Sequence, residues 1–189
     1  VAGGRDDRDE PALVEAARGG DARAFEEILR RHESRVLRVL RLMGVRAQER
    51  EDVAQNVFLR LFRGLGGFRP GQPFGSWVYK VTVNAAHDWR AQAARLHRDE
   101  APWDERGPER GRHGLSEDAR LALAGRLEAA LDLLTERERA AFVLVTLEEM
   151  DSEEAGRVLG ISAVTVRRHA GLARERLRKA LEEKKSPVG

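Results

Sequence analysis

Arg167, Arg168, His169, Arg174 and Arg178 fall in one short stretch near the end of the chain, against a single acid, Glu175. Guanidinium groups at this density hold phosphate oxygens, and each can offer two parallel donors to the edge of a guanine. The residues around them supply a frame. Asp151 suits a helix cap, with Glu154 placed to close a capping box. Ala155, Val158 and Leu159 give that helix an apolar face. Gly160 suits the left-handed position that ends it, and Ser162 caps the next helix, with Thr165 in its first turn. Val166, Ala170, Ala173 and Leu177 fall on one side of this second helix, with the basic residues off it. Gly171 inside it costs roughly 1 kcal/mol relative to alanine. Two short helices joined by a tight turn, the second basic on its outer side, make a helix-turn-helix. The second helix of that motif lies in the major groove of duplex DNA.

A second group of residues suits different chemistry. The stretch from Gly66 to Pro73 is rich in glycine and proline, yet it carries Phe68 and Arg69, and Phe74 follows at once. An aromatic ring and a guanidinium on a loop can hold an unstacked base. The alternative is that Phe68 pins the loop to the core. Further on, Trp77, Tyr79, Lys80, Trp89, Arg90 and Arg95 interleave basic and aromatic character, a mixture that stacks bases and tracks a nucleic-acid backbone. At least one of Trp77 and Trp89 is expected in the core.

Covalent chemistry has no comparable support. The chain has no cysteine, which removes disulfides, thiolate zinc sites and cysteine nucleophiles together. The five histidines (32, 87, 97, 113 and 169) lie far apart, and none forms His-Glu-x-x-His. Gly64-Leu-Gly-Gly67 follows a helical pattern rather than a strand, so it is no phosphate loop. The expectation is a protein that is not an enzyme and needs neither metal nor cofactor.

The elements that position these groups are predicted to be helices throughout. Pro11 fits the first turn of a short helix ending at Arg18. Asp21 caps a second, to about Leu42, and Gly44 stops it. A third runs from about Ala47 to Leu65, with Val53, Val57, Phe58, Leu61, Phe62 and Leu65 as its apolar face. In the fourth, from about Gly75 to His97, Val78 to Val83 alternates like a strand, but the longer Phe74, Trp77, Val78, Val81, Ala85, Trp89 pattern is helical. Ser116 caps a fifth helix carrying Leu121, Leu123, Leu127, Leu131 and Leu134. Thr135 and Glu138 form a capping box for a sixth, with Phe142, Val143, Leu144 and Leu147. The fold class is therefore all-α: two small helical bundles, residues 10–97 and 116–183, the second containing the helix-turn-helix. Residues 98–115, dominated by proline, glycine and mixed charge, read as a flexible linker, and residues 1–9 and 184–189 as tails.

Net charge is only +2 over 189 residues, so the whole chain does not announce a nucleic-acid partner. Its distribution does. Gly156 to Lys179 holds seven basic residues and one acid, whereas Asp132 to Ala155 holds eight acids and two bases. A local basic footprint is what phosphate binding requires. No apolar run approaches a membrane span, and the polar N-terminus is no signal peptide, so membrane insertion is not expected and a cytoplasmic location is the simplest reading.

Taken together, these residues resemble bacterial RNA polymerase sigma factors of the extracytoplasmic-function (ECF) group. The likeness runs from about residue 10 to 183, interrupted by the linker. Ala12 to Glu27 is similar to the start of the family's second conserved region, and Glu51 to Arg60 resembles the segment that grips the polymerase clamp helices. Phe68-Arg69, Phe74, Trp77 to Lys80 and Asn84 to Arg90 resemble the part that opens and reads the minus-10 element. Leu131 to Arg139 and the helix-turn-helix resemble the minus-35 reader. The resemblance implies that Asp52, Gln55, Asn56, Phe58, Leu59, Arg60 and Phe62 dock on core RNA polymerase, at the clamp helices of its largest subunit. It implies that Phe68, Arg69, Phe74, Trp77, Lys80, Asn84, Asp88 and Arg90 meet the minus-10 DNA, part of it as a melted strand. Ser162, Thr165, Arg167, Arg168, His169, Arg174 and Arg178 then meet the minus-35 duplex. An anti-sigma factor is the further partner implied. The rival is a LuxR-type regulator, which Leu134 to Ala140 and Gly160 to His169 also resemble; a helical front half with a basic-aromatic face disfavours it.

Overall fold

In a computed structural model, residues 9–69, 71–96 and 125–183 are described. Among them the regular structure is helical, with no strand. Four helices make the first half. Helix α1 (Glu10–Arg18) is capped by Asp9, whose carboxylate accepts from the Ala12 amide at 2.9 Å. Helix α2 (Ala22–Leu42) is capped by Asp21, as its position predicts, through the Arg23 and Ala24 amides. It ends before Gly44, which takes a left-handed φ of +86°. Helix α3 (Arg50–Gly64) has one 3-10 turn before it and another after it. Helix α4 (Phe74–Leu96) settles the ambiguous Val78–Val83 stretch as helix, and Thr82 satisfies its buried hydroxyl on the Val78 carbonyl at 2.7 Å.

The second half begins with α5, helical over residues 125–131. The expected start at Ser116, with Leu121 and Leu123, lies outside the described residues, as do the linker, residues 184–189 and residues 1–8; Asp9, read as the last residue of the N-terminal tail, instead caps α1. Helix α6 (Glu136–Phe142) opens on the complete Thr135–Glu138 capping box. The expected continuation to Leu147 is instead a π turn over Val143–Leu147. The wider turn places Val143 and Leu144 in the core and is followed by Glu149 at a left-handed φ of +56°. Helices α7 (Ser152–Leu159) and α8 (Ala163–Glu183) are the last of the described residues.

The two helical bundles expected from sequence are present, and they pack on one another, with α7 laid against α4 and their apolar residues in one cluster. Polar groups fasten the seam. Arg139, 1% exposed, crosses from α6 to donate to the Leu42 carbonyl at 2.6 Å, and to its own side's Asp132 at 2.8 Å. Glu148, its side chain equally buried, accepts from Arg38 at 2.6 Å and from the Tyr79 hydroxyl. Burial, then that hydrogen bond, pushes the Tyr79 hydroxyl pKa above its ordinary value. Ser76 donates to Glu154.

Candidate polymerase and nucleic-acid interfaces

Three surfaces carry the residues named from sequence. On α3, Ala54, Val57 and Leu61 face inward. That leaves Asp52, Gln55, Asn56, Leu59, Arg60 and Phe62 outside, with Phe58 half-buried. Phe62 had been placed on the apolar inner face as well as in the interface. At 60% exposed it belongs to the outer one, touching the rest of the protein edge-on through Phe25 at 5.0 Å between ring centres. Leu59 is 53% exposed beside it. Arg60 is committed within the protein, to Asn56 and Asp88 at 2.7 Å each. Two adjacent large apolar side chains in water, with polar neighbours on the same face, form a surface suited to a protein partner.

The second surface is built on the loop before α4 and on α4 itself. Phe68 and Phe74 are buried and pack with Trp77 as a trio of rings, at centre distances of 5.1 to 5.4 Å. Of the two readings left open, the pinned loop is the one found; neither Phe68 nor Phe74 offers a free face to a base, because each has neighbouring rings against it. Tyr79 is buried too, with Arg35 stacked 5.6 Å from its ring centre. Trp77 and Trp89 both pack against the core. Arg90 turns toward the end of α2, donating to the Met43 carbonyl at 3.2 Å and lying 3.4 Å from Glu136 across the seam. What remains outside is Arg69 on the loop and the row Lys80, Asn84, Asp88, one helical turn apart along α4.

The third surface is the helix-turn-helix. Asp151 caps α7 by accepting from the Glu153 and Glu154 amides at 2.8 Å. The Glu154 side chain does not close the expected capping box; it reaches Ser76 on α4. Gly160 ends α7 at a left-handed φ of +68°. The Ser162 hydroxyl accepts from the Thr165 amide at 3.2 Å and pairs with the Thr165 hydroxyl at 2.8 Å. Both hydroxyls take part in starting α8. Val166, Ala170, Ala173 and Leu177 are buried as the periodicity predicts, and Arg167, Arg168, Arg174 and Arg178 stand outside. His169 is half-buried on the flank, with a buried Nδ1 that has no partner. On the same flank Arg176 meets the buried Glu138 at 3.0 Å. Burial pushes the Glu138 carboxyl up, but the Thr135 amide and hydroxyl and the Arg176 charge outweigh it and hold the carboxyl below its ordinary value.

Sequence reasoning missed two features here. Gly156, inside α7, is where the turn folds back: a Cβ there would lie 2.7 Å from the Ile161 carbonyl oxygen. Val164, in the first turn of α8, projects into solvent at 68% exposure. A glycine within a helical pattern and a valine out of phase with the buried stripe were the available signals.

The fold and these surfaces define a two-part helical protein with an exposed apolar face on α3 and a helix-turn-helix whose second helix is basic on its outer side. Residues 28–96 match Sigma-70 region 2, and residues 124–177 match Sigma-70 region 4. The ECF RNA polymerase sigma factor SigM of Mycobacterium tuberculosis is 32% identical over 179 residues, 95% of this chain and 88% of that one. The RNA polymerase sigma factor CnrH of Cupriavidus metallidurans is 30% identical, over 90% of this chain and 93% of its own. The solved structure of CnrH in complex with the cytosolic domain of CnrY is similar at a TM-score of 0.70 and 26% identity, covering 94% of this chain and 99% of that one. The chain belongs to the ECF sigma factors. The region 2 match to the front half leaves the LuxR-type reading without support. Among the described residues, no helix is long and apolar enough to cross a membrane.

Proposed function

We propose that the chain is an alternative sigma factor that brings core RNA polymerase to chosen promoters in the cytoplasm. It performs no covalent chemistry; the polymerase does that. The observation that carries this reading is the outer side of α8, where Arg167, Arg168 and Arg174 are exposed on a helix that Ser162 caps and Gly160 sets in direction. Placed in a major groove, these guanidiniums reach guanine edges and flanking phosphates. Leu59 and Phe62, with Asp52 and Gln55, form the face for the polymerase clamp helices. Arg69, Lys80, Asn84 and Asp88 line the route of the melted minus-10 strand, while Phe68 and Phe74 hold the loop that presents Arg69. An anti-sigma factor is a fitting partner; the similar CnrH was solved in complex with a protein, the cytosolic domain of CnrY.

Size argues that this work is done in an opened form. The two promoter elements lie roughly 25 base pairs, or about 85 Å, apart along the duplex. A globular chain of this length has a radius of gyration of about 16 Å and is about 40 Å across. The halves must therefore part at the seam to occupy both elements, which also frees Arg90 from Glu136. Run-off transcription with core polymerase, on templates recovered by the reconstituted holoenzyme, tests the proposal. Polymerase binding with no transcript from any template would sink it.

The docking face makes its own prediction. Phe62→Asp with Leu59→Glu removes two exposed apolar anchors, so thermal stability should hold within a few degrees while affinity for core polymerase falls about 30-fold or more. Titration of labelled core polymerase checks it. Unchanged affinity would place the docking face elsewhere.

A further inference from the structure

Val164 has the highest exposure of the large apolar side chains exposed among the described residues. It is the second residue of α8, opposite the buried stripe of Val166, Ala170, Ala173 and Leu177, and one turn before Arg168 on the same outer side. One turn beyond Arg168 comes Gly171, where a Cβ would meet nothing within 4 Å. The middle of the outer face is thus a small apolar group, one guanidinium and a bare stretch of backbone, edged by Arg167 and Arg174. The two hydroxyls nearby, on Ser162 and Thr165, are bound to each other.

A valine in this position does nothing for the fold. It is β-branched, which a helix tolerates less well than alanine, and its methyls lie in water. The guanidiniums of this face serve guanines and phosphates by hydrogen bonds, whereas the Val164 side chain can make none. The major groove offers one feature that needs none, the C5-methyl group of thymine. We infer that Val164 reads a thymine methyl in the upstream duplex, beside the base or phosphate that Arg168 holds, with Gly171 leaving room for the helix to settle that deep. This rests on α8 being the groove-lying helix of the proposed sigma factor. Duplex DNA suits the surroundings better than a protein groove, since arginines flank the valine as phosphates flank a groove floor. A lone valine is also a weak anchor for a protein partner.

The test removes only the methyl. Holoenzyme reconstituted from the full chain selects its upstream duplex from a randomised pool, and each thymine of the selected sequence is then replaced, one at a time, by deoxyuridine. At one position the replacement should weaken wild-type binding about fourfold, the worth of one buried methyl. Val164→Ala should bind the thymine duplex about as weakly as wild type binds the uracil duplex, and should no longer distinguish the two. A wild type indifferent to every replacement would overturn the inference and leave Val164 to a protein partner. So would a Val164→Ala variant that keeps full discrimination. Arg168→Ala separates the two levels. If it loses affinity while Val164 is silent, the helix lies in the groove but Val164 reads no methyl. If both are silent on the selected duplex, the placement of α8 fails as well.

Discussion

Arg139→Ala will loosen the seam between the two halves and lower the stability of the free chain by about 3 kcal/mol, while leaving transcription by the assembled holoenzyme close to normal. The guanidinium is 1% exposed and holds the Leu42 carbonyl at the end of α2. Removing it strands a buried acceptor, which costs about 1–3 kcal/mol, and vacates the space the side chain fills. Burial lowers the Arg139 pKa and Asp132 opposes that shift, but an arginine stays charged in a protein, so the interaction persists across the working pH range. Lysine cannot replace it, because a single ammonium does not reproduce the fork that spans Leu42 and Asp132. Gly44 shares the device: its missing Cβ is where the guanidinium packs, 2.8 Å from Nη1. Urea unfolding of the full chain measures the stability. Because the chain has no native cysteine, one introduced on α1 and one on α8 can carry dyes that report the distance between halves. A variant with unchanged stability and distance would mean that Arg139 does not fasten the seam. Lost transcription despite normal polymerase binding would mean that the seam persists on the polymerase.

The caps and the seam differ in how far they could be read from sequence. Asp21, Thr135, Asp151, Gly160 and Ser162 act on backbone atoms within a few residues, so type and position alone located the helix starts at four of them and the end of α7 at Gly160. The buried stripe of α8 followed from spacing for the same reason. Arg139, Tyr79 and Glu148 were not legible, because each finds its partner across the seam, with Arg139 and Leu42 97 positions apart and Tyr79 and Glu148 69 positions apart. Periodicity says which face of a helix is apolar; it does not say which polar group will be buried opposite it. Glu154 shows the competition directly, since a local box and a distant serine both suit its carboxylate and the serine has it. The aromatic residues were legible only as alternatives. Phe62 suits both the apolar inner face and the outer one and stands outward, while Phe68 in its glycine-rich loop suits both a free ring and a pin, and two neighbouring aromatics close over it.

Two glycines of the helix-turn-helix should answer the same substitution with opposite signs. At Gly156 an added Cβ lies 2.7 Å from the Ile161 carbonyl oxygen and 3.4 Å from the Ala163 amide nitrogen. Both are backbone atoms of the turn, and the Gly156 carbonyl already accepts from the Ile161 amide at 3.0 Å, so neither can move without breaking the turn. Glycine inside a helix costs roughly 1 kcal/mol, and here that cost secures the close crossing of α7 and α8. Gly156→Ala should therefore destabilise despite its better helix propensity, and Gly156→Val should cost about 3 kcal/mol or more. At Gly171 the added Cβ meets nothing within 4 Å, so Gly171→Ala should stabilise by about 0.5–1 kcal/mol. Thermal unfolding reads both. The functional consequence of Gly156→Val follows from position: α8 loses its angle to α7 and upstream duplex binding is lost. Core polymerase binding, which depends on Leu59 and Phe62 on α3, survives. Equal losses in the two binding assays would mean that the lesion had spread beyond the turn, and that the helix-turn-helix and the docking face are not separable in this chain.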